Sequence, residues 1–473
     1  MEMYVAGEWR NGRAADEVRN PFSGDVVATV PRAGPDDVER ALTAAVEGAT
    51  AMRRLTAHER AAFVQRAADL LEAAEDELAR TISAEEGKPL AEALAEARRT
   101  PDVLRLAASE GARMHGETIP VDAAPGNADK IAFTLRQPCG VVVAITPFNY
   151  PLLLVAHKVG PALAAGNAVI LKPAGQTPLT ALALTRLFLE AGAPEHAVQC
   201  LTGPGGELGP ALCADTRVRK ISFTGSAAVG REIARVAGVK RLSLELGSNC
   251  PLVVLPDADV EQVSAATATG GYANAGQACI SVQRILVARE VYGDFLDALQ
   301  PRVDAIRVGD PFEEGTGVSA LINEREAERV EGVIREAVGA GASLVTGGER
   351  ERGVVRPAIV ADVTPEMAIS RDELFGPAVA VTRVDGVEEA IELANASEYG
   401  LGAGIFTKDV GNALRFARDV DTGNVQINNT PLWRADLMPY GGLKGSGIGK
   451  EGPRYAIEEM TELKSVVFHG IER

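Results

Sequence analysis

Between residues 141 and 243 the chain alternates short apolar runs with amphipathic ones: 141–145 then 152–165, 168–172 then 178–191, 198–201 then 205–214, 220–223 then 227–236. Four strand–helix repeats of this length dictate a parallel sheet, because a parallel neighbour is reached only by a crossover long enough to hold a helix. A second alternating stretch runs from residue 252 to 427, with strands expected at 252–255, 284–287, 358–360, 378–383 and 404–406. The chain is therefore α/β, with two such units in 473 residues, more than one ordinary core accommodates. Ahead of them, residues 36–112 are rich in Ala, Glu, Leu and Arg, with apolar positions such as Leu55, Phe63, Ala67, Leu70, Leu71 and Leu78 at helical spacing, and predict consecutive helices. Two segments, 131–136 and 464–469, read as strands without a covering helix; they are either edges of the main sheet or pair with another subunit.

Charge narrows the partners. With 65 acidic against 48 basic residues, a net charge of −17 and no basic block, neither nucleic acid nor an anionic membrane surface is expected. Five scattered cysteines and five dispersed histidines lack metal-ligand spacing, and point to a reducing, cytoplasmic setting without a structural metal. The N-terminus carries no basic segment followed by an apolar one, so no signal peptide is expected, and the most apolar stretch, 152–171, is interrupted by His157, Lys158, Pro161 and Asn167.

Chemistry is suggested by Cys279, within Gly276-Gln277-Ala278-Cys279, and Glu245, within Leu244-Glu245-Leu246-Gly247. A thiol is a nucleophile only as thiolate, and a carboxyl in apolar surroundings is the usual base poised near neutral pH. A third element, Phe223-Thr224-Gly225-Ser226 with Gly230 following, runs from a strand into a helix N-terminus, where backbone N–H groups suit a diphosphate. An ordinary strand-to-helix turn would read the same way. Lys172 ends its strand where ligands of parallel sheets bind, and would otherwise be a solvated strand-end lysine.

Together with Pro147-Phe148-Asn149-Tyr150-Pro151, Gly166-Asn167-Ala168-Val169-Ile170-Leu171-Lys172-Pro173, Glu373-Leu374-Phe375-Gly376-Pro377 and Pro439-Tyr440-Gly441-Gly442-Leu443-Lys444, these motifs make the chain resemble the aldehyde dehydrogenase superfamily over nearly its whole length. The resemblance implies a Rossmann-like cofactor domain from 1–123 and 140–247, with 441–455 returning to it, an α/β catalytic domain from 248–440, and a small β oligomerisation element from 124–139 and 456–473. It implies that Cys279 attacks an aldehyde to give a thiohemiacetal, that the Asn149 amide and the Cys279 N–H hold the oxyanion, and that Glu245 activates the water that hydrolyses the thioester. NAD or NADP is the implied cofactor. Its site is carried over to Thr146, Pro147, Lys172, Gly175, Gly205, Gly209, Phe223, Thr224, Gly225, Ser226, Gly230, Leu246, Glu373 and Phe375. Gly175 stands where many NAD-preferring members have a glutamate, so a 2′-phosphate meets no repulsion there.

The substrate implied is a small, anionic aldehyde, as in the lactaldehyde, non-phosphorylating glyceraldehyde-3-phosphate and phosphonoaldehyde branch. Arg105 and Arg434 are the candidate anion partners, and Tyr150 and His157 candidate lining residues. Arg105 reads equally as a surface partner of Asp102 or Glu110, and His157 as a hydrogen-bonded core residue. Ala278, where members using phosphorylated substrates often carry arginine, weakens a phosphate reading. An acylating enzyme using coenzyme A is opposed by Glu245, and a cysteine hydrolase by the absence of a histidine in any motif near Cys279. A homodimer or homotetramer is expected.

Overall fold

The computed structural model describes residues 1–471; Glu472 and Arg473, at the end of the expected oligomerisation segment, lie outside the described residues. The helical start resolves into Pro35–Arg54, Ala57–Ala73, Glu75–Glu86 and Leu90–Ala112. Local chemistry sets their boundaries. Thr56 accepts from the Glu59 N–H while Glu59 reaches back to the Thr56 N–H, a reciprocal cap. Gly87, with φ at 81°, ends the third helix in the left-handed conformation that glycine adopts without cost.

The first alternating stretch forms the five parallel strands of an eight-stranded sheet. Their spatial order is Val198–Cys200, Ala168–Lys172, Val141–Ile145, Val218–Thr224, Arg241–Glu245. Strand order reverses direction between Val141–Ile145 and Val218–Thr224, which opens a crevice at their carboxyl ends. Both edges are antiparallel additions. Met3–Val5 and Glu8–Arg10 close one side, a pair of strands that was not read in the sequence, and Gly447–Ile448 pairs with Arg241–Glu245 on the other. Two apolar layers sandwich this sheet. One includes Phe63, Leu71, Leu104 and Phe188, and the other Val38, Leu42, Leu208 and Ile233.

The second stretch makes a seven-stranded sheet built around the parallel strands Ala358–Ala361, Ala378–Val384, Arg284–Ala288, Pro251–Val254, Gly402–Phe406 and Asn424–Ile427. The two lone segments belong to neither sheet. Thr461–Phe468 pairs with Ile131–Pro138 in unbroken antiparallel register from Thr461 opposite Pro138 to Phe468 opposite Ile131, and Thr118–Ile119 completes a three-stranded sheet. The edge-of-main-sheet alternative is thereby corrected: the segments satisfy each other's backbone groups. Among the described residues no helix is long and apolar enough to cross a membrane.

Candidate active site

The carboxyl ends of the first sheet's parallel strands and the segments that lead into Pro251–Val254, Arg284–Ala288 and Ala378–Val384 of the second face a shared cavity of 1740 Å³. That exceeds the roughly 300–1000 Å³ of a site for one small molecule, and leaves room for a cofactor and a substrate together.

At its centre Cys279 lies on the loop between Val260–Gly270 and Arg284–Ala288. The preceding Asn274, Ala275 and Gly276 take φ of 51°, 54° and 71°, a left-handed run that costs about 1–2 kcal/mol at each non-glycine position. Only glycine fits at 276, where a Cβ would lie 2.1 Å from the Gly376 carbonyl oxygen. A buried network holds this strained loop. Asn274 donates to Glu86 at 2.6 Å and to the Asn149 carbonyl at 3.1 Å, and its own N–H donates to Glu92 at 2.7 Å. Lys88, 1 % exposed, donates to Glu96 at 2.6 Å and to the Asn149 carbonyl at 2.7 Å, sits 3.1 Å from Glu86 and lies over the Tyr150 ring. Burial pushes the Glu86 carboxyl up to about 8, against the pull of Lys88. The Asn149 amide then donates to the Gln277 carbonyl at 2.7 Å, two residues before Cys279. Lys88, Glu86, Glu96 and Asn274 were not read from the sequence, since their only signal was charged and amide residues at positions that fold into the interior.

Glu245 is the last residue of its strand, 3 % exposed, and neither of its carboxylate oxygens has a hydrogen-bond partner in the protein. Burial first, then repulsion from Glu451, holds its carboxyl well above the usual range. Glu451 behaves oppositely: although burial works against its charge, Lys158 at 2.8 Å and Arg434 at 3.3 Å bring it down to about 2. A carboxyl raised by burial thus stands beside one locked in ion pairs. Burial pushes the Cys279 thiol up to about 12, opposed by the Tyr440 hydroxyl 3.0 Å from its sulfur.

The crevice of the first sheet forms the other half. Thr146, Pro147, Lys172, Gly175, Gly205, Gly209, Phe223, Thr224, Gly225, Ser226, Leu246, Glu373 and Phe375 all line it. Gly230 does not: it lies behind the wall, where a Cβ would come 2.3 Å from Leu246, so its role is to let the helix approach that side chain. The features suit a dinucleotide. The hydroxyls of Thr146 and Thr224 are buried without a partner, and Cβ atoms at Gly206 and Gly209 would meet nothing within 4 Å. Lys172 is brought down to about 8 by burial and spends its ammonium on the Pro173 carbonyl at 2.7 Å, and a Cβ at Gly205 would lie 3.7 Å from its Nζ. Ser226 caps its helix through Val229 N–H at 3.4 Å. Glu373 accepts from the Ser248 N–H at 2.9 Å and burial raises it to about 7, while Phe375 packs edge-on against Phe148 at 5.9 Å. At Gly175 the nearest heavy atom to a Cβ would be a carbonyl oxygen 3.9 Å away, leaving the space that a glutamate would fill.

On the nucleophile side, Tyr150 and Arg434 line the cavity as expected, and two expectations are corrected. Arg105 lies outside it, bound to Asp69 at 3.1 Å, to Asp102 at 3.5 Å and to Glu72; it is the surface partner of its neighbours. On the same helix Arg99 lines the cavity instead, six residues and so roughly 120° around the helix away. His157 is core, fully buried, 3.0 Å from Asp436, with burial lowering its pKa. Arg99 grips Asp436 at 2.6 and 2.7 Å, and Arg434 lies against Glu451, so these two arginines are oriented by carboxylates. The Arg434 Nε remains buried without a partner.

Comparison with known proteins agrees. The model of the aldehyde dehydrogenase family matches residues 9–466. The chain is 43 % identical to the 3-sulfolactaldehyde dehydrogenase of Priestia megaterium over 467 residues, covering 99 % of this chain and 98 % of that protein. The crystal structure of aldehyde dehydrogenase 21 from Physcomitrella patens in complex with the reaction product succinate superposes with a TM-score of 0.97 at 36 % identity, over 99 % of this chain and 98 % of that one. The NADP complex of the NADP-dependent glyceraldehyde-3-phosphate dehydrogenase from Bacillus halodurans does so with a TM-score of 0.97 at 34 % identity, over 99 % of both chains. With the Cys279 loop, the buried Glu245 carboxyl and the glycine-lined crevice facing one cavity, the chain belongs to the aldehyde dehydrogenase family.

Proposed function

We propose that the protein oxidises a small aldehyde bearing a second, anionic group to the carboxylic acid, with NAD or NADP as oxidant. The observation that carries this reading is the convergence of Cys279, Asn149 and the unpartnered Glu245 on one cavity whose other half is the open glycine-lined crevice. In this reading the Cys279 sulfur forms a bond to the aldehyde carbon while the carbonyl π pair moves to oxygen, where the Asn149 amide and the Cys279 N–H meet it. NAD or NADP, held by the crevice residues Thr224, Gly225, Glu373 and Phe375, would supply the acceptor for the hydride lost from that carbon. Glu245 then takes a proton from water as the water attacks the thioester, and the acid leaves with Cys279 restored as thiolate.

Arg434 supports the anionic substituent, because the residue lines the cavity and its buried Nε has no partner. Arg99 replaces Arg105 as second anion partner. The three proteins compared above are named for sulfolactaldehyde and glyceraldehyde-3-phosphate or bind succinate, all carrying a sulfonate, phosphate or carboxylate. Gly175 leaves room for a 2′-phosphate, so NADP is accepted. We assign the eight-stranded sheet with its helices to the cofactor, the seven-stranded sheet to catalysis, and the exposed Ile131, Leu135, Leu463, Val467 and Phe468 of the three-stranded sheet to subunit contact in a homo-oligomer. Five free cysteines suit the reducing cytoplasm.

A screen at about 340 nm of succinate semialdehyde, sulfonate-, phosphonate- and phosphate-bearing aldehydes, lactaldehyde and neutral aliphatic aldehydes, with each cofactor, tests the proposal. Anionic aldehydes are expected to give the highest kcat/KM, and Cys279→Ala no turnover with any. Equal kcat/KM for anionic and neutral substrates refutes the anion partner.

A further inference from the structure

The surroundings of Cys279 leave its thiolate short of support. Glu373, Glu245 and the Cys250 thiol all disfavour negative charge on the sulfur, and burial does so more strongly than any of them. The cations near the site are otherwise engaged: Lys158 and Arg434 pair with Glu451, and Lys88 with Glu86 and Glu96. The contact that favours the thiolate is the Tyr440 hydroxyl, 3.0 Å from Sγ.

Tyr440 is built into this position. It is 5 % exposed, and its backbone is fixed by reciprocal hydrogen bonds with Glu451, at 3.1 and 2.6 Å. The Arg434 guanidinium lies 3.8 Å over the ring, a cation on the π face that draws electron density from the phenol and makes its O–H a better donor. Glu451 thus orients both members of the pair: its main chain holds Tyr440, and its carboxylate holds Arg434.

We propose that Tyr440 is a further catalytic residue, donating its O–H to the Cys279 sulfur and stabilising the thiolate that attacks the aldehyde. The thiol proton leaves to water in the cavity, the sulfur lone pair forms the S–C bond as the carbonyl π pair moves to oxygen, and Tyr440 keeps its own proton throughout. Once sulfur is bonded to carbon it is neutral, and the hydrogen bond weakens. Tyr440 therefore acts on formation of the nucleophile rather than on hydrolysis of the thioester. This rests on Cys279 as the nucleophile.

The test is the pH dependence of alkylation of the full-length enzyme by iodoacetamide, followed by mass spectrometry of the Cys279 peptide, in wild type and Tyr440→Phe. The substitution removes one oxygen and keeps the ring beneath Arg434. A hydrogen bond to an ion of ordinary strength predicts that the alkylation midpoint rises by about one pH unit or more and that the rate at neutral pH falls about tenfold. The first-turnover rate should fall by a similar factor for every aldehyde, with deacylation unchanged. An unmoved alkylation midpoint overturns the proposal. So does an unmoved midpoint with turnover lost only on aldehydes carrying a 2-hydroxyl, which would assign the phenol to the substrate. If alkylation of Cys279 in wild type leaves oxidation intact, the nucleophile assignment itself fails, and the two failures are read separately.

Discussion

Replacing Lys88 by methionine removes a buried ammonium while nearly keeping its volume. Three oxygens then lose their cation: Glu96 at 2.6 Å, the Asn149 carbonyl at 2.7 Å and Glu86 at 3.1 Å. Glu96 retains the N–H groups of Leu152 and Leu153, and the Asn149 carbonyl retains Asn274, so neither is orphaned. Glu86 keeps its bond from Asn274 and, raised by burial and no longer pulled down by Lys88, is held still more firmly in its protonated form. Removing one partner of a buried ion pair costs about 3–5 kcal/mol of stability, and the thermal midpoint should fall accordingly. The kinetic effect is smaller. Of the two hydrogen bonds on the Asn149 carbonyl, the charged one disappears, worth about 1.5–3 kcal/mol. If all of it is felt as misplacement of the Asn149 amide in the transition state, the first-turnover rate drops by about 10- to 150-fold, below the roughly 100- to 1000-fold expected for losing an oxyanion donor outright. Stopped-flow measurement of the first equivalent of reduced cofactor reads this directly. Cofactor affinity should stay unchanged, because the contacts of Lys88 are with Glu86, Glu96, Asn149 and Tyr150. A first-turnover rate within twofold of wild type would refute the idea that this network positions Asn149.

Glu245→Gln should leave the first turnover largely intact and slow the steady state by about 100- to 10,000-fold, giving a burst near one equivalent per site; the same steady rate without a burst would remove Glu245 from deacylation. Both Cys279 and Glu245 act deprotonated and both are raised, so activity should climb as pH rises through and above neutrality; a maximum on the acid side would contradict the assignment. Arg105→Ala should change neither the KM for an anionic aldehyde nor stability by more than about 0.5 kcal/mol, since its partners are exposed; a large rise in KM would restore it to the site.

What a contiguous run of residues does by itself was legible early. Strand–helix alternation announced both α/β units, since periodicity and crossover length are local properties. Gly276, Cys279, Glu245 and Lys172 could be picked out because each sits at a strand end or in a loop whose local geometry demands that residue type. Misreadings occurred where a partner comes from elsewhere. Segments 131–136 and 464–469 looked like unpaired strands because their partner was each other, more than 300 positions away. Arg105 was named and Arg99 was not read at all, because both lie on Leu90–Ala112 and only the rotation of that helix against the sheet decides which one faces the cavity.

The sequence by itself determined the fold class and the reaction family, and singled out Cys279 as the candidate nucleophile, all from short segments whose chemistry needs no distant neighbour. Only the tertiary structure decided what tunes that chemistry. Lys88 became the holder of Asn149, Glu451 the fixed charge beside Glu245, and Tyr440 the contact of Cys279. The reason is physical: burial and partner charge set a pKa or a hydrogen bond, and both depend on residues the chain brings together from 61 to 206 positions apart.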